Sequence, residues 1–131
     1  MLKCFVAIDL GAESGRVIRA LVDESSIRLE EVHRFPTRGL VMHGTRQWNI
    51  TRIYEETLEG LARVARMDGP APAGIGIDTW GVDFGFLAAD GSLLGNPVHN
   101  RDHRTEGMIE AADRVVPQSE IYARTGIATM P

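Results

Sequence analysis

The chain has 131 residues, 44% of them apolar and 24% charged, with a formal charge of −4 at pH 7. That length allows one domain with a real core, and the lack of a basic stripe excludes a nucleic-acid binder. The apolar runs are of strand length, which excludes a membrane span, and the single cysteine, Cys4, excludes an internal disulfide and fits a reducing cytoplasm.

Lys3 is followed by only five apolar residues before Asp9, too few for a signal peptide. Residues 3–9 read instead as a first strand. Its unbroken run from Cys4 to Ile8 predicts a strand buried on both faces, with Cys4 a packed core residue rather than a nucleophile. The run ends on the carboxylate of Asp9. A turn follows, Gly11-Ala12-Glu13-Ser14-Gly15, and a second strand covers about 16–23. A strand that delivers an acid to a Gly/Ser turn can hold a divalent cation through water. The turn can offer N–H and hydroxyl donors to a polyphosphate. Taken alone, the same residues equally describe an ordinary hairpin with a solvated aspartate.

Asp23 to Ser26 is a turn, and a third strand covers about 27–35. Alternation puts Ile27, Leu29, His33 and Phe35 on one face and Arg28, Glu30 and Arg34 on the other. Glu31 and Val32 break the pattern, which predicts a bulge or an edge position. Three strands with short turns form an antiparallel meander. A loop from Pro36 to Asn49 comes next, long for a compact domain. A helix over about 52–67 carries Ile53, Tyr54, Thr57, Leu58, Leu61, Val64, Ala65 and Met67 on one half. Charges, with Glu59 and Arg63 at pair spacing, fill the other half. Asn49 or Thr51 caps its start and Gly69 suits its end.

Pro70-Ala71-Pro72 leads to a fourth strand, Ala73 to Asp78, whose Gly74 and Gly76 imply close approach of neighbouring backbones. Val82 to Ala88, an Asp90-Gly91 turn and Leu93-Leu94 read as an inserted hairpin. A second helix covers about 106–116, capped by Thr105 and stopped by Pro117. A short helix over about 119–124 follows, and no element is expected over Thr129-Met130-Pro131. His99 and His103 stand four apart with no third ligand and no helix between them, so they define no metal site. His33 and His43 carry no constellation.

The order strand-strand-strand-helix-strand-helix, with a phosphate-type turn between the first two strands, is the ribonuclease H-like α/β order of actin-like and sugar kinase ATPases. Gly76-Ile77-Asp78-Thr79-Trp80-Gly81-Val82-Asp83-Phe84 resembles the substrate strand of the L-rhamnulose kinases of the FGGY carbohydrate kinase family. Asp9-Leu10-Gly11-Ala12-Glu13-Ser14-Gly15-Arg16 resembles the first phosphate motif of that family. His33-Arg34-Phe35, Trp48-Asn49-Ile50, Asn100 to Thr105 and Ile121 to Ile127 are similar to family segments in the same order. The phosphate motif alone marks only a sugar kinase or relative, whereas the Thr79 to Phe84 stretch is far more specific.

The resemblance implies transfer of the ATP γ-phosphate to the 1-hydroxyl of L-rhamnulose or a related ketose. An L-fuculose or D-xylulose kinase fits Trp80 to Asp83 less well. It implies that Asp9 organises Mg²⁺ and that Gly11, Ala12, Glu13, Ser14, Gly15 and Arg16 contact ATP, with the Glu13 side chain pointing away. Arg16 reads equally as a strand residue paired with an acid. On the sugar side it implies Gly81 and Trp80, whose flat face and N–H suit a deoxy sugar, although Trp80 reads also as core. Asp83 could accept sugar hydroxyls or cap a turn. Arg101 and Asp102 line the cleft or hold their own loop as an ion pair.

Family members are several times longer. Residues 1–131 are therefore expected to be a partial amino-terminal domain lacking the fifth strand of its sheet. The second domain, which binds adenosine, and the general base are expected beyond Pro131, so no catalytic residue is assigned here. Such a unit should be inactive alone and self-associate through its open sheet. The reading from a different class is a truncated pseudokinase or an actin-like interaction domain without catalysis.

Overall fold

Along β1 (Lys3–Leu10) Cys4, Val6 and Ile8 are buried while Phe5 and Ala7 are exposed. The strand expected to be covered on both faces is thus covered on one. This is a computed structural model, and it describes residues 1–129; Met130 and Pro131 of the expected element-free end lie outside the described residues. Two compact units divide the chain, Met1–His99 and Asn100–Pro131.

In the first unit, β2 (Ser14–Val22) continues the alternation, burying Gly15, Val17, Arg19 and Leu21. β1, β2 and β3 (Ile27–Pro36) form the expected antiparallel meander. The register of β2 on β3 slips where Val17 faces His33 but Ile18 faces Glu31, leaving Val32 as a bulged residue. A one-residue bulge changes which face the later side chains occupy. Phe35, opposite Gly15, is therefore buried, while Ile27 and Leu29 lie exposed on the other face. The single shared face expected for Ile27, Leu29, His33 and Phe35 does not exist.

The chain then makes a further hairpin where a plain loop was expected. β4 (Leu40–Met42) pairs with β5 (Thr45–Gln47) around His43 and Gly44, at φ 50° and 78°. Two successive positive φ angles fit a tight hairpin of the hand that suits strand twist.

α1 (Ile50–Ala65) starts on Asn49, whose side chain accepts from the Arg52 N–H at 3.1 Å. It buries Ile53, Gly60 and Val64 on the covered face of the sheet. The core is Val6, Ile8, Val17, Phe35, Trp48, Ile53 and Val64. Each full burial of such a side chain contributes about 1.5–3 kcal/mol. Tyr54 and Leu58, counted with the apolar half of the helix, remain exposed. Arg19 is buried beneath the helix end, donating to the Asp68 carbonyl at 2.5 Å and to Glu30 at 3.4 Å. Gly69 has φ 118°, and a Cβ there would meet the Arg19 guanidinium at 2.5 Å.

β6 (Pro72–Thr79) lies parallel to β1, giving the sheet order β3-β2-β1-β6 among the described residues. Gly74 faces the Phe5 ring rather than a neighbouring backbone, and Gly76 faces open space. Beyond β6 the inserted hairpin is reduced to one bridge, Leu87 to Leu93, closed by Ala88 donating to Ser92 at 2.8 Å.

The second unit is helical, with a short 3₁₀ turn (His103–Thr105), α2 (Met108–Asp113) and α3 (Gln118–Thr125). The expected helix over 106–116 starts later and ends sooner. Gly107 at its N-cap has φ 74°, which breaks helical continuity from Thr105. The Thr105 hydroxyl does not cap α2; it donates backwards to the Asp102 carbonyl at 3.1 Å.

Candidate functional site

Open α/β sheets present ligands beyond the carboxyl ends of their strands. β1 and β6 end together. Their parallel register sets Asp9 beside Asp78, and the antiparallel register of β1 on β2 sets Asp9 opposite Arg16. Arg16 Nη1 donates to Asp9 Oδ2 at 2.9 Å, with both side chains partly exposed. Arg16 is therefore a strand residue paired with an acid. A pair this exposed is worth about 0–1 kcal/mol, so an incoming ligand can compete for either partner. Asp78 is exposed. Sequence reasoning treated Asp78 only as a strand end. The usable signal was the parallel pair of apolar runs, Val6-Ala7-Ile8 and Ile75-Gly76-Ile77, each closing on an aspartate.

The turn between β1 and β2 is short, because β2 starts at Ser14. Gly11 N–H donates to the Ser14 carbonyl at 3.1 Å, and a Cβ on Gly11 would stand 3.1 Å from that same oxygen. Ala12 and Glu13 are exposed at its tip. Gly15 lies on the buried side, where a Cβ would come within 2.3 Å of the Phe35 ring. Its small size is thus demanded by aromatic packing from within the protein. Thr37, which sequence reasoning left in a loop, is buried under the turn. Its hydroxyl donates to the Gly11 carbonyl at 2.6 Å and its N–H to the Glu13 carbonyl at 3.2 Å. Arg34 Nη1 donates to Ser14 Oγ at 3.3 Å. The same guanidinium grips Glu31 at 2.5 and 2.9 Å, and that hydrogen bond holds the Glu31 carboxyl below its ordinary range.

Trp80 follows β6 and packs against the core. Its ring lies 4.4 Å from that of Trp48, and Trp48 stacks on His99 at 4.0 Å with a 16° tilt. Trp48 is buried, and its Nε1 has no hydrogen-bond partner among the described residues. The Trp80 Nε1 donates to Asp83 Oδ2 at 2.7 Å. Asp83 thus orients the indole, and Trp80 is part core and part exposed ring. Beside it Gly81 faces open space, and Val82 adopts φ 70°, which is strained for a β-branched residue. Phe84 and Phe86 stand edge to face, both exposed.

Arg101 and Asp102 belong to the second unit. Asp102 is buried and caps the 3₁₀ turn, accepting from the Arg104 N–H at 3.0 Å. Its carboxylate also lies 3.8 Å from His103 Nδ1. Among the described residues no group of three or more His, Cys, Asp or Glu side chains could hold a metal ion. None of their helices is long and apolar enough to cross a membrane. An open groove of about 410 Å³ lies between the end of β3 and the start of α1, lined by Pro36, Thr37, Arg38, Asn49, Arg52 and Ile53.

A mixed sheet in the order β3-β2-β1-β6, with its last strand parallel to β1 after a helical crossover, is the plan of the actin-like fold. Residues 4–131 match the FGGY family of carbohydrate kinases, N-terminal domain. The chain belongs to that family. It is 44% identical over 130 residues to a rhamnulokinase of Bacteroides thetaiotaomicron, covering 99% of this chain and 27% of that protein. It is 40% identical to a rhamnulokinase of Oceanobacillus iheyensis, covering 97% of this chain and 27% of that protein. The chain thus spans about a quarter of the length of these relatives. A gluconate kinase from Lactobacillus acidophilus superimposes with a TM-score of 0.75 at 17% identity, over 97% of this chain and 25% of that one. A xylulose kinase from the same organism gives 0.72 at 18% identity, over 92% of this chain and 24% of that one. These two likenesses establish the fold.

Proposed function

We propose that this chain is the part of a cytoplasmic, ATP-dependent sugar kinase that faces the transferred phosphate and one side of the sugar. The whole protein would transfer the ATP γ-phosphate to the 1-hydroxyl of L-rhamnulose. The observation that carries the reading is Asp9, set beside Asp78 at two strand ends, next to a turn with an exposed tip. Phosphoryl transfer needs cations and donors placed around spreading negative charge, and little else from the protein. The rhamnulokinase relatives support the choice of sugar, together with the ring of Trp80 beside the open backbone of Gly81.

Mg²⁺ is bound by one or two carboxylates and several waters rather than by a full protein cage. Asp9, partly exposed, and Asp78, exposed beside it, fit that demand. The ion would neutralise charge on the transferred phosphoryl group. Ala12 and Glu13 would offer backbone N–H groups, Ser14 its hydroxyl, and Gly11 and Gly15 the tight path that lets them do so. Arg16 would exchange Asp9 for a phosphate oxygen. Trp80 would cover the apolar side of the deoxy sugar while Asp83 fixes its ring. Arg101 and Asp102 are further sugar-side candidates. The general base and the adenosine site would come from the rest of the protein, so the 131-residue chain would be inactive alone.

The test is ATP-dependent phosphorylation of L-rhamnulose, L-fuculose and D-xylulose by the full-length kinase that carries this chain. L-rhamnulose should have the highest kcat/KM. Equal or better turnover of D-xylulose would overturn the substrate, and no turnover of any sugar would favour the non-catalytic interaction domain. Phosphorylation by the 131-residue chain alone would refute the division of labour.

A further inference from the structure

We infer that Thr37 is the positioning residue of the phosphate turn: from beneath, it fixes the peptide whose N–H the turn presents to a ligand. The inference rests on the kinase reading above and adds to it a residue outside the phosphate motif.

Thr37 follows the last residue of β3, where a loop begins, yet it is only 1% exposed. A polar side chain so placed must find a partner. Its partner is the phosphate turn. The Oγ1–H donates to the Gly11 carbonyl at 2.6 Å, and the Thr37 N–H donates to the Glu13 carbonyl at 3.2 Å. Gly11 and Glu13 flank the tip residue Ala12, so both limbs are tied down to one residue.

The consequence follows from the planar trans peptide. In the 11–12 peptide the carbonyl and the following N–H point in opposite directions. Drawing the Gly11 oxygen inward to Thr37 aims the Ala12 N–H outward. Ala12 is exposed, and its N–H donates to no other described residue. It is an outward-facing donor held in place by a bond on the far side of its own peptide. Such preorganised donors cost no rearrangement when an anion arrives.

The neighbours of Thr37 make the device rigid. Pro36 restricts the backbone just before it. Phe35 lies under Gly15, close enough to exclude a Cβ there. Alternate residues at the end of β3 thus place a ring under one limb of the turn and a hydroxyl under the other. The Thr37 hydroxyl is bonded to the Gly11 carbonyl, so loss of that hydroxyl acts on a ligand through the Gly11–Ala12 peptide.

The test compares Thr37→Val with Thr37→Ser in the full-length kinase. Valine keeps the volume and removes the donor; serine keeps the donor. Affinities for MgADP and for L-rhamnulose are measured separately by calorimetry. Thr37→Val should weaken MgADP about tenfold, the scale of one lost hydrogen bond plus a stranded carbonyl. L-rhamnulose affinity should change less than about twofold, and Thr37→Ser should restore MgADP to within about twofold of the parent. If the valine protein does not fold, Thr37→Cys, a weak donor of similar size, should weaken MgADP several-fold while serine does not. A folded valine or cysteine variant that binds MgADP like the parent overturns the inference alone. So does equal weakening of both ligands, which is the mark of a merely structural role. A parent that binds no nucleotide overturns the kinase reading and the inference with it.

Discussion

Gly60 and Val17 touch so closely that a Cβ on Gly60 would lie 2.3 Å from Val17 Cγ2. A glycine inside a helix costs about 0.8–1.0 kcal/mol relative to alanine. Here that cost is offset by letting α1 settle onto β2 and close the core over Val17, which is fully buried.

Gly60→Ala should therefore destabilise the protein in spite of its better helix propensity. Overpacking a closed core costs about 1–3 kcal/mol, which exceeds the propensity gain at the upper end of that range. Thermal unfolding followed by circular dichroism should show a lower Tm. A raised Tm would mean that helix and sheet are not in contact at this point.

Asp9→Asn in the full-length kinase should reduce kcat by at least about tenfold with little change in Tm. It removes charge at the proposed cation without changing shape. Because the Arg16 pair is solvent-accessible, its loss should hardly affect folding. Turnover within about threefold of the parent would remove Asp9 from the reaction.

Trp80→Phe tests the sugar side. It keeps an aromatic face and deletes the N–H that holds Asp83. KM for the sugar should rise about three- to tenfold, the value of one oriented hydrogen bond, while KM for ATP stays the same. A rise confined to ATP would place Trp80 on the wrong side of the site.

Asp23 closes the turn between β2 and β3 by accepting from the N–H groups and hydroxyls of Ser25 and Ser26. These bonds, led by the Ser25 N–H, hold its carboxyl below the ordinary aspartate value. A lowered folded pKa gives stability that is present above the unfolded value and is lost as pH falls through the folded one. Tm should thus fall more steeply below about pH 4 in the parent than in Asp23→Asn. Parallel pH profiles would show that the turn bonds do not depend on charge.

The face of the sheet opposite α1 carries exposed Phe5, Ile27 and Leu29, and the edge strand β6 carries exposed Ile75 and Ile77. Edge strands and contiguous apolar surface promote pairing with other chains. The 131-residue chain should form dimers or larger species in sedimentation velocity as concentration rises. A sharp monomer at high concentration with cooperative unfolding would show that these surfaces are tolerated in water.

The meander, α1 and β6 were legible because their signals are local. Apolar alternation, a helical stripe and a proline link each act within a few residues. Even the bulge was visible at Glu31-Val32, although its effect on facing was not, and Ile27 and Leu29 were placed on the wrong side. The β4–β5 hairpin was missed because His43-Gly44 is a less familiar turn pair than Asn-Gly, though the second-position glycine was there to read. Of the candidate site, the place of Asp9 at a strand end before a tight turn was legible, and the places of Asp78, Thr37 and Trp48 were not. Asp78 comes beside Asp9 only through the parallel pairing of β1 with β6, and Thr37 reaches the turn through bonds to Glu13 and to Gly11, 26 residues before it. Spacing along the chain contains neither relationship.

The strap that Thr37 places across Gly11 and Glu13 also closes a unit built from consecutive strands. Asp9, the turn, its aromatic floor and its strap all lie between β1 and the end of β3, joined by antiparallel pairings between consecutive strands. Contacts close in sequence form fastest, and a chain emerging from the ribosome offers its amino end first. The hairpin proposed to face phosphate thus draws on pairings between consecutive strands alone. Asp78 arrives later, with β6, whose parallel docking on β1 must wait for the whole crossover. The contacts on the proposed phosphate side are therefore local in the sequence, and the pairing that sets Asp78 beside Asp9 is the long-range one.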